Sequence, residues 1–303
     1  MTDTAGKAQK PPFFVLGAQR SGTTMLRLML NNHPNLVIPH ETAFITIFHG
    51  KLADYGDLSN LSNSRRLLDD VMAHRLVERG KLIPDPKAVL KKPITTYRDF
   101  IEAVFRTYAE TQGKQRWGDK TPFYTSEVDI LRVIFPDCKV IHLVRDGRDV
   151  ILSQRKMEWM SGNLPKLARD WAWKTTLVHK VGRVLGADFL EVHYEDLVRN
   201  PHATLEEICR FLDEPYSPDL LRFAENAECV VPEESQQWHQ NSIRPPDVSK
   251  LGEWRRKLSK ADRIIFEQEA GSALELFGYS REHLVSNWGS RLRKLYYLLF
   301  KRR

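Results

Sequence analysis

Residues 13–30, FFVLGAQRSGTTMLRLML, constrain the fold more than any other part of this chain. The four apolar residues from Phe13 to Leu16 read as a buried strand, and a glycine turn leads directly into a helix from Thr23 to about Asn31, stopped ahead of His33-Pro34. A strand, a glycine-bearing turn and a helix in that order suit a phosphate, because backbone amides and the helix N-terminus converge there. The spacing from Gly17 to Gly22 matches GxxxxGK(S/T), yet Thr23 stands where the lysine belongs and the cation sits inside the loop at Arg20. That exchange disfavours a nucleotide triphosphatase or kinase, whose lysine and metal-binding hydroxyl bracket the β- and γ-phosphates.

The remaining pattern extends the same architecture. A short strand is expected at Leu36–Ile38. The excursion from Glu41 to about Lys92 is irregular and helical, and it suits the shaping of a substrate site. A helix over Asp99–Thr111 leads to a polar stop, Trp117-Gly118-Asp119-Lys120-Thr121-Pro122, and a further helix runs to Phe135. Lys139–Val144 is the cleanest buried strand and ends at Arg145-Asp146-Gly147-Arg148. Two helices, a strand at Phe189–Tyr194 and a mostly helical final third complete the alternation. The expected fold is α/β, a P-loop-like parallel sheet with helices on both faces, a helical substrate-shaping insertion and a helical C-terminal third. Residues 1–12 read as a disordered start, 13–287 as one domain, and 288–303 as a basic amphipathic helix.

Charge narrows the partners. Of the net +7, six charges come from Arg291, Arg293, Lys294, Lys301, Arg302 and Arg303, leaving +1 for the rest, so the body carries no nucleic-acid footprint. No nucleic acid is expected as a partner. The tail repeats Trp288, Leu292, Leu295, Tyr296 and Leu299 at helical spacing with cations on the flanks. It reads equally as a helix lying on an anionic membrane surface and as one docked on the core. The first dozen residues lack a signal-like apolar run and no stretch approaches the roughly 20 apolar residues of a span, so a cytoplasmic protein, peripheral on the membrane if the tail binds there, is expected. Cys138, Cys209 and Cys229 are few, scattered and read as reduced core residues.

In open parallel sheets, ligands bind where strands end. A strand ending in (K/R)SGTT ahead of a helix resembles the 5'-phosphosulfate loop of the sulfotransferase superfamily, here Gln19, Arg20, Ser21, Gly22, Thr23 and Thr24. The family's second loop, an Arg at a strand end and a Ser eight residues later, is matched by Arg145 and Ser153, which the resemblance assigns to a 3'-phosphate. It further implies Lys120 at the bridging oxygen, Glu41 as catalytic base, Tyr194 near the adenine, and Lys250, Gly252, Trp254 and Arg255 in a segment closing over the nucleotide. The implied activity is sulfuryl transfer from 3'-phosphoadenosine 5'-phosphosulfate to a hydroxyl, with Glu41 accepting the proton and Lys120 and Arg20 neutralising the leaving phosphate. No metal is expected, since a sulfuryl group carries less charge than a phosphoryl group.

The pattern is nearest to protein-tyrosine and carbohydrate sulfotransferases, with departures. Ala43 and Ile47 stand where the protein-tyrosine members place arginines for acidic peptides, and Glu253 stands where they place a lysine. A soluble bacterial enzyme acting on a carbohydrate, lipid or small-metabolite hydroxyl fits best. Plainer roles compete: Glu41 as a helix-start acid, Lys120 as a solvated loop lysine, Arg148 with Asp149 as a helix-end ion pair, His142 as a core residue, and Trp171 and Trp173 on a packed helix. His40 and His239 are the substitutes for Glu41. A kinase-like phosphotransferase and a non-catalytic nucleotide-binding membrane-surface protein are the alternative classes.

Overall fold

The structure is a computed structural model describing residues 10–157, 162–225 and 242–301. Its centre is a five-stranded sheet of order β2-β3-β1-β4-β5, every pairing parallel, as expected for an α/β chain. The strands are β1 (Phe13–Leu16), β2 (Leu36–Val37), β3 (Arg116–Asp119), β4 (Lys139–Val144) and β5 (Phe189–His193). α1 (Thr23–Asn31) carries the chain from β1 to β2. α2 (Phe44–His49), α3 (Leu61–Met72), α4 (Arg75–Gly80) and α5 (Pro86–Leu90) make up the irregular excursion, and α6 (Tyr97–Thr111) returns it to β3. α7 (Val128–Ile134) precedes β4. α8 (Gly147–Gln154) and α9 (Leu164–Leu185) lead to β5, followed by α10 (Tyr194–Arg199), α11 (Pro201–Phe211), α12 (Trp254–Lys257), α13 (Lys260–Leu276) and α14 (Trp288–Phe300).

Strand pleating sorts the core. Phe14, Leu16 and Val140 enter one cluster with Trp117 and Phe135, whereas Phe13, Val15, Ile141 and Leu143 enter another with α1 and α11. A third cluster joins α8, α9 and α13 around Trp171 and Phe266. The order places β1 between β3 and β4, so the chain leaves β1 toward one edge and β4 toward the other. The crevice at their carboxyl ends is the switch point at which such sheets bind ligands.

Several expectations shift. The polar stop at Trp117 is in part a strand, β3, which alternation did not betray because it is four residues long and contains a glycine. A Cβ at Gly118 would lie 2.6 Å from the Phe13 ring, so β3 approaches β1 this closely only with glycine there. α6 begins two residues earlier than expected, fixed by a capping box in which Thr96 Oγ1 accepts from the Asp99 amide and Asp99 accepts in return. Lys10–Pro12, placed in the disordered start, are tied down: Lys10 pairs with Glu214 at 2.9 Å, and the Pro11 and Pro12 carbonyls accept from Arg116 and Lys139. Residues 1–9 lie outside the described residues.

His142 is a core residue, its Nδ1 3.0 Å from Glu191. Trp171 is buried and Trp173 on the same helix is exposed. Cys138 and Cys209 are buried, which pushes their thiols up to about 12 and about 11, and Cys229 lies outside the described residues. Among the described residues no helix is long and apolar enough to cross a membrane.

Gly147, the first residue of α8, backs the crevice: a Cβ there would lie 2.4 Å from the Trp171 ring and 2.6 Å from Phe266. Gly147→Ala is expected to cost about 1–3 kcal/mol of unfolding free energy through overpacking, read as a lower urea midpoint at unchanged m-value.

Candidate active site

The loop after β1 is shaped by two residues with positive φ, Arg20 at 75° and Gly22 at 96°. Gly22 stands at the N-cap of α1, and no side chain caps that helix, so its first amides face the crevice. A Cβ at Gly22 would lie 2.4 Å from the Tyr194 ring, so the aromatic ring lies directly against the loop. Thr125 Oγ1 fixes the loop's base by accepting from the Gly17 amide at 3.1 Å and donating to its carbonyl at 2.9 Å.

The strand-end residues of β1 and β4 meet. Arg20 Nε donates to Ser153 Oγ at 3.0 Å, and Arg145 Nη1 donates to the Arg20 carbonyl at 3.2 Å. The Arg145 guanidinium lies 4.3 Å from the Tyr194 ring centroid, and its buried Nε has no hydrogen-bond partner among the described residues. Burial, and then the neighbouring Arg145, hold the Arg20 guanidinium below its ordinary value. Two adjacent arginines and an orphaned donor fit a bound anion.

Opposite them, Lys120 Nζ donates to Glu41 Oε1 at 2.5 Å and to Thr24 Oγ1 at 3.4 Å. Lys120 is 2% exposed, so it is no solvated loop lysine, and Glu41 precedes α2 without entering its first turn. Burial pulls Lys120 below the usual lysine value, with Glu41 opposing it. The pair rests on a layer absent from the sequence reading. Arg27, buried on α1, donates to the Ile38 and Pro39 carbonyls at 3.4 and 3.3 Å, and Asp119 accepts from Thr42 Oγ1 at 2.6 Å. Burial raises Asp119 to about 7. The available signal for Arg27 was a single cation among apolar neighbours in TTMLRLMLN.

These residues line a cleft of about 580 Å³ to which Gln19, Arg20, Gly22, Thr23, Thr24, Glu41, Arg145, Ser153, Tyr194 and Lys250 contribute, with Lys120 reaching it through Glu41. Lys156 and Arg244, which the sequence did not single out, add cations to its walls. Ser21 is buried and turns inward, its amide donating to the Ala18 carbonyl. Gly252, Trp254 and Arg255 do not line the cleft. Trp254 is buried against Arg148, and Gly252 and Arg255 border a neighbouring cavity. The expected Arg148–Asp149 ion pair does not form. Arg148 instead forks onto Asp146, with both bonds at 2.9 Å, and reaches Glu267 at 3.4 Å. Asp149 accepts from the amides of Gly252 and Trp254 at 2.7 and 2.9 Å, and this ties the late segment to α8. His239 lies outside the described residues.

A family model described as the Sulfotransferase family matches residues 11–218. The chain belongs to the sulfotransferase family. The match contains the β1 loop, Glu41, Lys120, Arg145, Ser153 and Tyr194, while the segment around Trp254 lies beyond it. The chain is 26% identical over 255 residues to a protein-tyrosine sulfotransferase of Drosophila melanogaster, covering 81% of this chain and 47% of the relative. It is 27% identical over 258 residues to protein-tyrosine sulfotransferase 1 of Danio rerio, covering 82% and 66%. The chain thus spans about half to two thirds of the length of these curated relatives. Among solved structures, the sulfotransferase domain of the Synechococcus PCC 7002 olefin synthase superposes with a TM-score of 0.61 at 27% identity, covering 90% of this chain and 96% of that one.

His40, beside Glu41, is held down at about 4 by burial and then by Arg27. Between that value and the unfolded value of about 6.5 the unfolded chain binds a proton that the folded chain refuses, so stability falls as pH drops through this window. Urea titrations at pH 7 and 4.5 should show His40→Gln losing about 1–3 kcal/mol less than the unsubstituted protein on acidification.

Proposed function

We propose that the cleft binds 3'-phosphoadenosine 5'-phosphosulfate and that the protein transfers its sulfuryl group to an acceptor hydroxyl. The contact between Glu41 and Lys120, opening onto the same cleft as the anion-fitted loop, carries this reading, because it supplies a proton acceptor and a proton donor on either side of one reacting centre. The Gly22 amide and the first amides of α1 hold the 5'-phosphosulfate with Arg20. Arg145 and Ser153 hold the 3'-phosphate, Tyr194 packs near the adenine, and Lys250 adds charge from the late segment.

The co-substrate supplies an electrophilic sulfur joined to a good leaving phosphate. Glu41 takes the acceptor's proton as its oxygen bonds to sulfur, and Lys120 donates to the bridging oxygen as the S–O bond breaks. Arg20 neutralises the phosphate left behind. Both steps need the Glu41–Lys120 contact to part. The described residues contain no group of three or more His, Cys, Asp or Glu side chains that could hold a metal, and the reading uses cationic side chains in that place.

The lining of the cleft supports a class of acceptor. Met25, Pro122 and Leu152 give the cleft apolar surface. Ala43 is buried and Ile47 half-buried where a reader of acidic peptides would carry arginines. A carbohydrate, lipid or small-metabolite hydroxyl fits that lining, as distinct from the tyrosyl peptides named in the curated relatives.

Glu41→Gln should lower turnover by about 10²–10⁴-fold while leaving calorimetric affinity for 3'-phosphoadenosine 5'-phosphate nearly unchanged. Arg145→Ala should weaken that affinity by roughly tenfold or more through loss of a charge-assisted fork. Radiolabelled sulfate transfer into extract fractions, in the presence of EDTA, reads turnover, and calorimetry reads affinity. Normal turnover by Glu41→Gln, or abolition by EDTA in the unsubstituted protein, would refute the mechanism.

A further inference from the structure

The C-terminal helix is docked inside out. Of the residues on α14, Ser290 and Tyr297 are buried. Tyr297 Oη donates to Asp262 at 3.0 Å and accepts from Arg155 Nη2 at 2.5 Å, and its carbonyl accepts from Asn163 at 3.1 Å. Arg293 forks onto Asp262 at 2.6 and 3.1 Å, and Lys294 pairs with Glu269 at 2.5 Å. A helix held on a soluble core by the hydrophobic effect turns its apolar stripe inward. This one turns Ser290 and Tyr297 inward and pairs Arg293 and Lys294 with α13, leaving Trp288 78%, Leu292 60%, Leu295 51%, Leu299 50% and Phe300 71% exposed. The two readings of the tail are therefore compatible: the helix is docked, and its apolar face is open.

We propose that this face lies on an anionic lipid surface. The residues 288–303 hold six cations and no acid, and Arg291 and Lys301 are exposed. Apolar residues that can sink to the acyl boundary, with cations beside them, fit acidic headgroups, and Trp288 and Tyr296 are the amphipathic rings favoured at that depth. A second copy seated on the same face through a two-fold axis would bring two all-cationic segments together, which opposes pairing. The polar clamp makes the attachment rigid. Arg155, which holds Tyr297, immediately follows α8 and lies two residues beyond Ser153, so a surface bound by α14 sets the orientation of the cleft. This inference does not rest on the sulfuryl-transfer reading.

Flotation of the full chain with phosphatidylcholine vesicles, with and without phosphatidylglycerol, tests it. Binding should require phosphatidylglycerol and weaken with salt. Leu295→Glu/Leu299→Glu should reduce binding about tenfold or more at unchanged Tm. Arg291→Glu should reduce it by up to about thirtyfold, the worth of two surface charges at low salt. Absence of flotation, or equal flotation of the double variant, would overturn the proposal. So would light scattering that shows a dimer which the double variant converts to a monomer without any vesicle binding, because a second copy would then own the face.

Discussion

The guanidinium of Arg145 holds together the two strand ends on which the site is built. It donates to the carbonyl of Arg20, a residue at positive φ that non-glycine side chains seldom adopt, and lies over the Tyr194 ring that covers Gly22. Its own carbonyl accepts from the Trp171 indole at 3.2 Å, tying it to the third core cluster. One side chain thus links the loop after β1, the end of β4 and the helix after β5. Burial and then Arg145 hold the Arg20 guanidinium below its ordinary value, and Glu41 opposes them.

Glu41 and Lys120 rest on a second layer of buried polar groups. Arg27 supports the carbonyls two and three residues ahead of Glu41, and Thr42 and Thr121 bind Asp119, the residue preceding Lys120. Glu41 and Lys120 come from distant parts of the chain, yet both are set by contacts spanning α1, β2 and β3. Such networks are costly if half satisfied, which makes them sensitive to substitutions that never touch the cleft.

Much of this was legible in the sequence because the residues follow strand ends, where the α/β layout directs ligands. The limits of β1, α1 and β4 follow from apolar runs bounded by glycine, proline and charge, and Arg145 with Ser153 follows from the resemblance to the second loop of the sulfotransferase superfamily. β3 was hidden because its strand character comes from neighbours on both sides and not from its own four residues. The Asp149 contacts were hidden because they join residues about a hundred positions apart, and no local pattern encodes an amide that a carboxylate will bind. The apolar repeat of α14 was visible, whereas the direction it faces depends on Asp262 and Glu269 of another helix.

The hook from Asp149 to the amides of Gly252 and Trp254 bears on what counts as the unit of folding here. The region recognisable as a sulfotransferase ends at residue 218, yet α13 and α12 lie beyond it and supply Phe266 against Trp171 and Trp254 against Arg148. A chain cut at that boundary would keep every catalytic candidate and lose the donors to a largely buried carboxylate, along with one wall of the third core cluster. The stretch that carries the family likeness is shorter than the stretch that must fold together.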